Sequence, residues 1–195
     1  MTVLLLARHG ETDWNRDHRW QGHTGPPLNQ TGRRQAAELA TQLDTLDAIY
    51  SSDTIRATET AEIVGAQLGL GIETDPRLRE VNFGEWEGLT RHEINRLYED
   101  AFTRWEACEQ AAPNGGESDE AMAERVIEAL SQIAGDHPDG RVLVITSGGP
   151  IRAAQAHLRG VEQAAARRLI GTVENGALVE LVIREGVFAN GADES

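Results

Sequence analysis

The 195-residue sequence contains no lysine, so all 18 basic side chains are arginine, and 32 acidic side chains bring the formal charge to -14 at pH 7. The charge is spread along the chain without a basic run, which makes nucleic acid and anionic membrane surfaces poor partners. An anionic small substrate would need a few arginines concentrated locally against the overall field. Cysteine is nearly absent too. Cys108 stands alone, which rules out an intrachain disulfide and a thiolate metal cage and fits a reducing compartment. Long apolar runs are also missing: Val3 to Ala7 is closed by Arg8, too short for a signal-peptide core or a membrane span. These absences point to a soluble cytoplasmic protein. The histidines lack a paired metal-ligand spacing such as His-Glu-x-x-His, so neither a metal nor another cofactor is expected.

What is present suits one domain over residues 1–195. A chain of this length buries roughly 70% of its unfolded surface and needs no covalent staple. Val3 to Ala7 reads as a strand buried on both faces. The loop from Arg8 to Asn29 is long, yet its Trp14, Trp20 and paired prolines argue for order. Gly32 to Leu43 has helical spacing after a candidate cap at Thr31, and Ala48 to Ser51 fits a strand. Asp53 is placed to cap a helix that Gly69 and Gly71 end. Asp75 to Gly84 reads as extended. Helical segments at Thr90 to Ala107 and Glu117 to Gly135 flank the breaker run from Pro113 to Gly116. Val142 to Thr146 is the most strand-like stretch. A Ser-Gly-Gly-Pro turn leads from it into a helix through Leu158, Ala177 to Ile183 alternates as a last strand, and Gly191 to Ser195 reads as frayed.

Strands alternating with helices predict an α/β fold, a mainly parallel sheet flanked by helices with a helical insertion. Ligands of such sheets bind beyond the carboxyl ends of the strands. Three such ends carry polar residues: Arg8 and His9; Ser51, Ser52 and Arg56; Thr146, Ser147 and Gly148.

The segment from Leu6 to Asn15, containing Arg8, His9, Gly10, Glu11 and Thr12, resembles the signature of the histidine phosphatase (phosphoglycerate mutase-like) superfamily. Further segments agree in order: Pro27 and Leu28 with Gly32, Gln35 and Ala36; Ser51 to Asp53 with Arg56 to Thr58; Leu78 to Glu80 with Phe83 to Gly88; and Gly115 to Ser118. The resemblance spans nearly the whole chain. It implies a phosphoglycerate mutase-like fold and a phosphatase of the short branch, similar to α-ribazole phosphatases. The longer insertion and the Glu-Arg-x-Tyr-Gly run of cofactor-dependent phosphoglycerate mutases are missing. One motif departs. Where the family usually reads Ser-His-Gly-Gly, this chain reads Thr146, Ser147, Gly148, Gly149, so Ser147 holds the position of the second catalytic histidine. Gly25 replaces an aspartate frequent among relatives.

Residue chemistry fits the same roles. A strand-end histidine fixed through one ring nitrogen leaves the other as a nucleophile, here His9. Arg8 and Arg56 suit a bidentate clamp on phosphoryl oxygens, although Arg56 is also spaced to pair with Glu59 or Glu62 on its own helix. Glu80 would serve as acid and base, with Glu85 and Glu87 close enough in sequence to compete. Asn15 and Gln21 are candidate donors to phosphate or substrate, and Ser147 and Gly148 complete the binding set. Trp86 and Trp105 are expected to pack the helical insertion. The reading is a metal-independent phosphomonoesterase acting on a small phosphorylated metabolite through a phosphohistidine at His9, slowed by Ser147, with a homodimer allowed. The alternatives are a catalytically weakened relative that binds a phosphorylated ligand or a protein partner, and a phosphoglycerate mutase.

Overall fold

A computed structural model describes residues 1–107, 109–110 and 114–190; Cys108, Pro113 and the stretch from Gly191 to Ser195 lie outside the described residues. The N-terminal apolar run forms β1 (Thr2–Arg8). Its side chains alternate between two cores, as a period of two requires. Leu4 and Leu6 face a cluster with Val126, Leu130, Ile133 and Ile151, while Leu5 and Ala7 face one with Leu39, Ala57, Ala61 and Val64. Both faces of the strand are therefore dry, which is why it reads as continuously hydrophobic.

The other strands are β2 (Ala48–Ser51), β3 (Glu73–Thr74), β4 (Arg141–Thr146), β5 (Leu178–Arg184) and β6 (Val187–Asn190). They form one six-stranded sheet ordered β3-β2-β4-β1-β5-β6. The first four strands in that order pair in parallel, and β5 and β6 join antiparallel. The expected mainly parallel α/β fold is what the chain adopts. Helices α2 (Gln30–Thr41) and α3 (Ile55–Leu68) cover one face, and α6 (Asp119–Asp136) and α7 (Gly148–Arg159) cover the other. The long loop after β1 is ordered and carries a single-turn helix, α1 (Asp13–Arg16).

Several local expectations need correction. Asn29, not Thr31, caps α2, its Oδ1 accepting from Gly32 N at 2.9 Å. Thr54, not Asp53, stands at the cap of α3, because Asp53 forms a two-toothed ion pair with Arg79. The segment from Thr90 to Ala107 is two helices, α4 (Arg91–Leu97) and α5 (Glu99–Glu106), broken at Tyr98, whose φ of -136° and ψ of 37° leave the helical region. Pro76–Leu78 makes a tight helical turn inside the segment expected to be extended. The burial of β5 does not alternate cleanly, and α8 (Gln163–Leu169) and β6 carry too little patterning to be read. As expected, Trp86 and Trp105 pack the insertion, in a cluster with Ile94 and Phe102. Among the described residues, no helix is long and apolar enough to cross a membrane.

The turn after β1 is pressed against α2 at two glycines. A methyl group on Gly10 would lie 2.4 Å from the Gly32 carbonyl oxygen, and one on Gly32 would lie 2.1 Å from the Glu11 carbonyl oxygen. Gly135, in the last turn of α6, meets nothing within 4 Å. Gly32→Ala should destabilise the fold by about 1–3 kcal/mol through overpacking against rigid backbone. Gly135→Ala should stabilise it by up to about 1 kcal/mol through helix propensity. Denaturant midpoints of the two variants check both signs, and equal midpoints would refute the packing argument.

Candidate active site

Strands β1 and β4 run parallel with Arg8 opposite Thr146, so His9 and Ser147 leave the sheet side by side. The His9 amide donates to the Thr146 carbonyl at 2.9 Å. A cavity of about 350 Å³ opens there, lined among others by Arg8, His9, Asn15, Gln21, Glu80 and Ser147. The site lies where parallel sheets place their ligands, beyond the carboxyl ends of the strands.

The imidazole of His9 is buried, with Nδ1 at 2.7 Å from the Gly10 carbonyl. A carbonyl only accepts, so Nδ1 carries the proton and donates it, leaving Nε2 with a lone pair. Arg56 Nε donates to that nitrogen at 3.2 Å. Burial first, then the charges of Arg56 and Arg8, hold the His9 pKa well below 6.5. Near neutral pH the ring is therefore uncharged, with its Nε2 lone pair facing the Arg56 guanidinium.

Arg56 is 1% exposed, and its Nη1 and Nη2 donate to the carbonyls of Thr24 and Gly22 at 2.9 and 2.6 Å. Burial brings its pKa down to about 10, which leaves it charged at neutral pH. It is packed against His9 and is not on the cavity wall. The competing pairing with Glu59 does not form, since that carboxylate takes the Leu28 amide and Arg33 instead. Arg8 lines the cavity and donates through Nη1 to the Val173 carbonyl; burial lowers its pKa although Glu80 and Glu174 oppose the shift. Two buried polar atoms on the cavity-lining residues have no hydrogen-bond partner among the described residues: Arg8 Nε and Ser147 Oγ.

Glu80 is the one acid of its loop that lines the cavity. Its carboxylate accepts from Val81 N at 2.9 Å and from Gly149 N, in the first turn of α7, at 3.0 Å. A methyl on Gly149 would lie 1.9 Å from Glu80 Oε1, so only glycine lets the carboxylate reach this helix start. The rivals are occupied elsewhere: Glu87 accepts from the His23 and Thr24 amides and the Thr24 hydroxyl, and Glu85 accepts from Asn114. The loop itself is held by Arg125, which donates to the carbonyls of Arg77, Arg79 and Glu80 at 2.7, 2.8 and 2.9 Å and pairs with Glu117. Sequence reasoning missed this clamp, because an arginine inside an amphipathic helix reads as surface.

Asn15 and Gln21 both line the cavity. The Asn15 Oδ1 accepts from Thr12 N at 3.1 Å and the Gln21 Oε1 from Thr12 Oγ1 at 2.9 Å, so only their amide N–H groups remain to serve a ligand. Gly148 is buried, and a methyl on it would lie 3.5 Å from Arg152 Nη1 and 3.9 Å from Arg8 Nε. Asn175 was not foreseen. It donates to the His9 carbonyl at 2.9 Å and to Asn15 Oδ1 at 3.3 Å, from a loop without any motif. Arg152, Arg167, Asp119 and the aromatic residues Trp20 and Trp105 also line the cavity unforeseen. His9 is its single histidine. Among the described residues no cluster of three or more His, Cys, Asp or Glu side chains is placed to hold a metal ion.

Comparison with known proteins places the chain among relatives of one family. The chain is 35% identical over 182 residues to the metal-independent phosphoserine phosphatase of Arabidopsis thaliana, covering 90% of this chain and 75% of that protein. Among solved structures it is similar to YhfR of Bacillus stearothermophilus, with a TM-score of 0.90 and 32% identity, covering 99% of this chain and 96% of that one. It also resembles the α-ribazole phosphatase of Shigella flexneri, with a TM-score of 0.84 and 26% identity over 98% of this chain and all (100%) of that one. The model of the histidine phosphatase superfamily (branch 1) matches residues 4–190. With that match over nearly all the described residues, and phosphatases among its relatives, the chain belongs to the histidine phosphatase superfamily, branch 1, as a phosphatase enzyme.

Proposed function

We propose that the protein is a metal-independent phosphomonoesterase that hydrolyses a small phosphorylated metabolite through a phosphohistidine at His9. The observation that carries this reading is the convergence of a neutral His9 Nε2 with unspent donors, Arg8 Nε and Ser147 Oγ, at one cavity. In the first step Nε2 attacks phosphorus, the N–P bond forms and the ester P–O bond breaks. Glu80 delivers a proton to the leaving oxygen. In the second step Glu80 takes a proton from water, whose oxygen attacks phosphorus and breaks the N–P bond, releasing inorganic phosphate. Arg8 and Ser147 bind the nonbridging oxygens, with the Asn15 and Gln21 amides and the Gly148 helix start beside them. Arg56, which donates to Nε2 in the free protein, has to turn from that lone pair to the negative phosphoryl oxygens for the attack to proceed.

The direct test is rapid alkaline quenching after mixing with a labelled phosphomonoester. An acid-labile protein adduct should form, disappear in His9→Ala and be indifferent to EDTA. An adduct that survives in His9→Ala, or activity that requires added metal, would overturn the reading.

Protonation supplies a second test. The folded pKa of His9 lies well below 6.5, so the free enzyme should keep this ring neutral as pH falls from about 7.5 through 6.5, where an unfolded histidine charges. Nitrogen chemical shifts of the His9 imidazole should therefore stay constant over that interval. A midpoint at or above 6.5 would contradict the buried, lone-pair-bearing nucleophile.

Ser147 offers a short neutral hydroxyl where the family usually places a charged imidazole. Loss of one preorganised donor costs on the order of 100- to 1000-fold in turnover, and serine recovers part of it. Ser147→His should raise kcat at least about tenfold, with a smaller change in KM. A folded Ser147→His protein without any gain would mean that the pocket is organised around serine.

A further inference from the structure

Arg56 keeps its charge out of reach of solvent, yet its hydrogen-bond partners are uncharged: His9 Nε2 and the carbonyls of Thr24 and Gly22. A buried cation with neutral partners needs negative charge close behind them. Glu80 and then Glu87 are the acids that favour its charged form. In the proposed reaction Glu80 gives up and regains a proton, whereas Glu87 is spared that exchange. The Glu87 side chain is half-buried and does not line the cavity. Its Oε1 accepts from His23 N at 2.9 Å and Phe83 N at 3.3 Å, and its Oε2 from Thr24 N at 3.0 Å and Thr24 Oγ1 at 2.6 Å. Burial pushes this carboxyl up, but those bonds outweigh it and hold it below the usual carboxylate range, so it is charged at neutral pH.

The two charges meet across a single peptide group. The His23 N–H that donates to Glu87 and the Gly22 carbonyl that accepts from Arg56 Nη2 at 2.6 Å share one peptide plane, whose dipole turns its negative end to the guanidinium and its positive end to the carboxylate. Thr24 repeats the pattern within one residue, with its amide and hydroxyl on Glu87 and its carbonyl on Arg56 Nη1. Glycine at position 22 lets the carboxylate in, since an added methyl would lie 2.0 Å from Glu87 Oε1. We propose that Glu87 is a positioning residue that, through the backbone of residues 22–24, anchors both Nη groups of Arg56 and leaves Nε to exchange the His9 lone pair for a phosphoryl oxygen. The inference rests on the phosphomonoesterase reading and deepens it. The effect expected of Glu87 is opposite in sign to that of its charge alone. A carboxylate behind the site repels an anion, so Coulomb repulsion by itself makes Glu87→Gln bind oxyanions more tightly. Loss of the anchor makes it bind them more weakly.

The test is calorimetry with inorganic phosphate on the unmodified chain, Glu87→Gln, Arg56→Met and the double variant. Arg56→Met should weaken binding at least about tenfold and Glu87→Gln at least about fivefold, whereas Glu87→Gln added to Arg56→Met should shift affinity by less than about twofold. Glu87→Asp, which keeps the charge and loses reach, should also weaken binding. In nuclear magnetic resonance spectra of the free protein, the Arg56 Nε–H proton should exchange with water at least about tenfold faster in Glu87→Gln. Far-ultraviolet circular dichroism checks folding; where Glu87→Gln or Arg56→Met fails to fold, Glu87→Asp or Arg56→Lys replaces it under the same criteria. Tighter or unchanged phosphate binding in Glu87→Gln, or an equal loss with and without Arg56, overturns the positioning role; so does unchanged affinity in Arg56→Met. The alkaline-quench experiment separates the two readings. Coupling between Glu87 and Arg56 without any phosphoprotein would sink the esterase and leave the positioning role, whereas a phosphoprotein without coupling would sink the positioning role alone.

Discussion

The guanidinium of Arg56 is the constraint on which the site depends. It is buried beyond the reach of solvent and remains charged, so each of its donors has to be met from within the chain. Gly22 and Thr24 supply two carbonyls from the long loop after β1, and His9 supplies its ring nitrogen. One side chain thereby joins α3, the loop and the end of β1. The loop is ordered because it satisfies a buried cation, and His9 is aimed because Gly10 and Arg56 hold its two ring nitrogens from opposite sides.

Electrostatics divides between scales. At long range the surplus of acidic side chains opposes an anionic ligand, and salt screens that field within about 8–10 Å. At short range Arg8, Arg56, Arg152 and Arg167 surround a desolvated site where the local dielectric is lower and each charge acts more strongly. Burial first, and then Arg56 and Arg8 among these cations, keep His9 unprotonated. In the proposed reaction such a site would draw in a phosphoryl group while the His9 ring stays neutral. That choice is open to a ring held neutral by desolvation and closed to one exposed on the surface.

Much of this was legible in the sequence, and the parts that were not share a cause. The central strands were readable because β1 and β4 are dry on both faces, and the strand-end residues Arg8, His9, Ser147 and Gly148 follow from where those strands stop. Tertiary pairing then overrode local rules. Asp53 looks like a helix cap, yet Arg79 from a distant turn claims its carboxylate. Tyr98 breaks a helix that spacing alone would continue. Arg56 was expected against phosphate, but burial sets it against His9, a placement that spacing does not encode. Asn175, Arg125, Arg152 and Arg167 act through contacts 45 or more residues away or through a cavity wall, and such partners leave no periodic trace.

The contact between Glu80 and Gly149 orders how this site can change over generations. A side chain at position 149 meets the flexible end of Glu80, so a first substitution there displaces the carboxylate from the Gly149 amide. Shortening Glu80 opens the space in which position 149 can then accept a side chain. Once that space is filled, a glutamate cannot return to its seat at the start of α7 until glycine returns first. The contact between the acid and α7 can thus be lost through either residue but regained only with glycine in place.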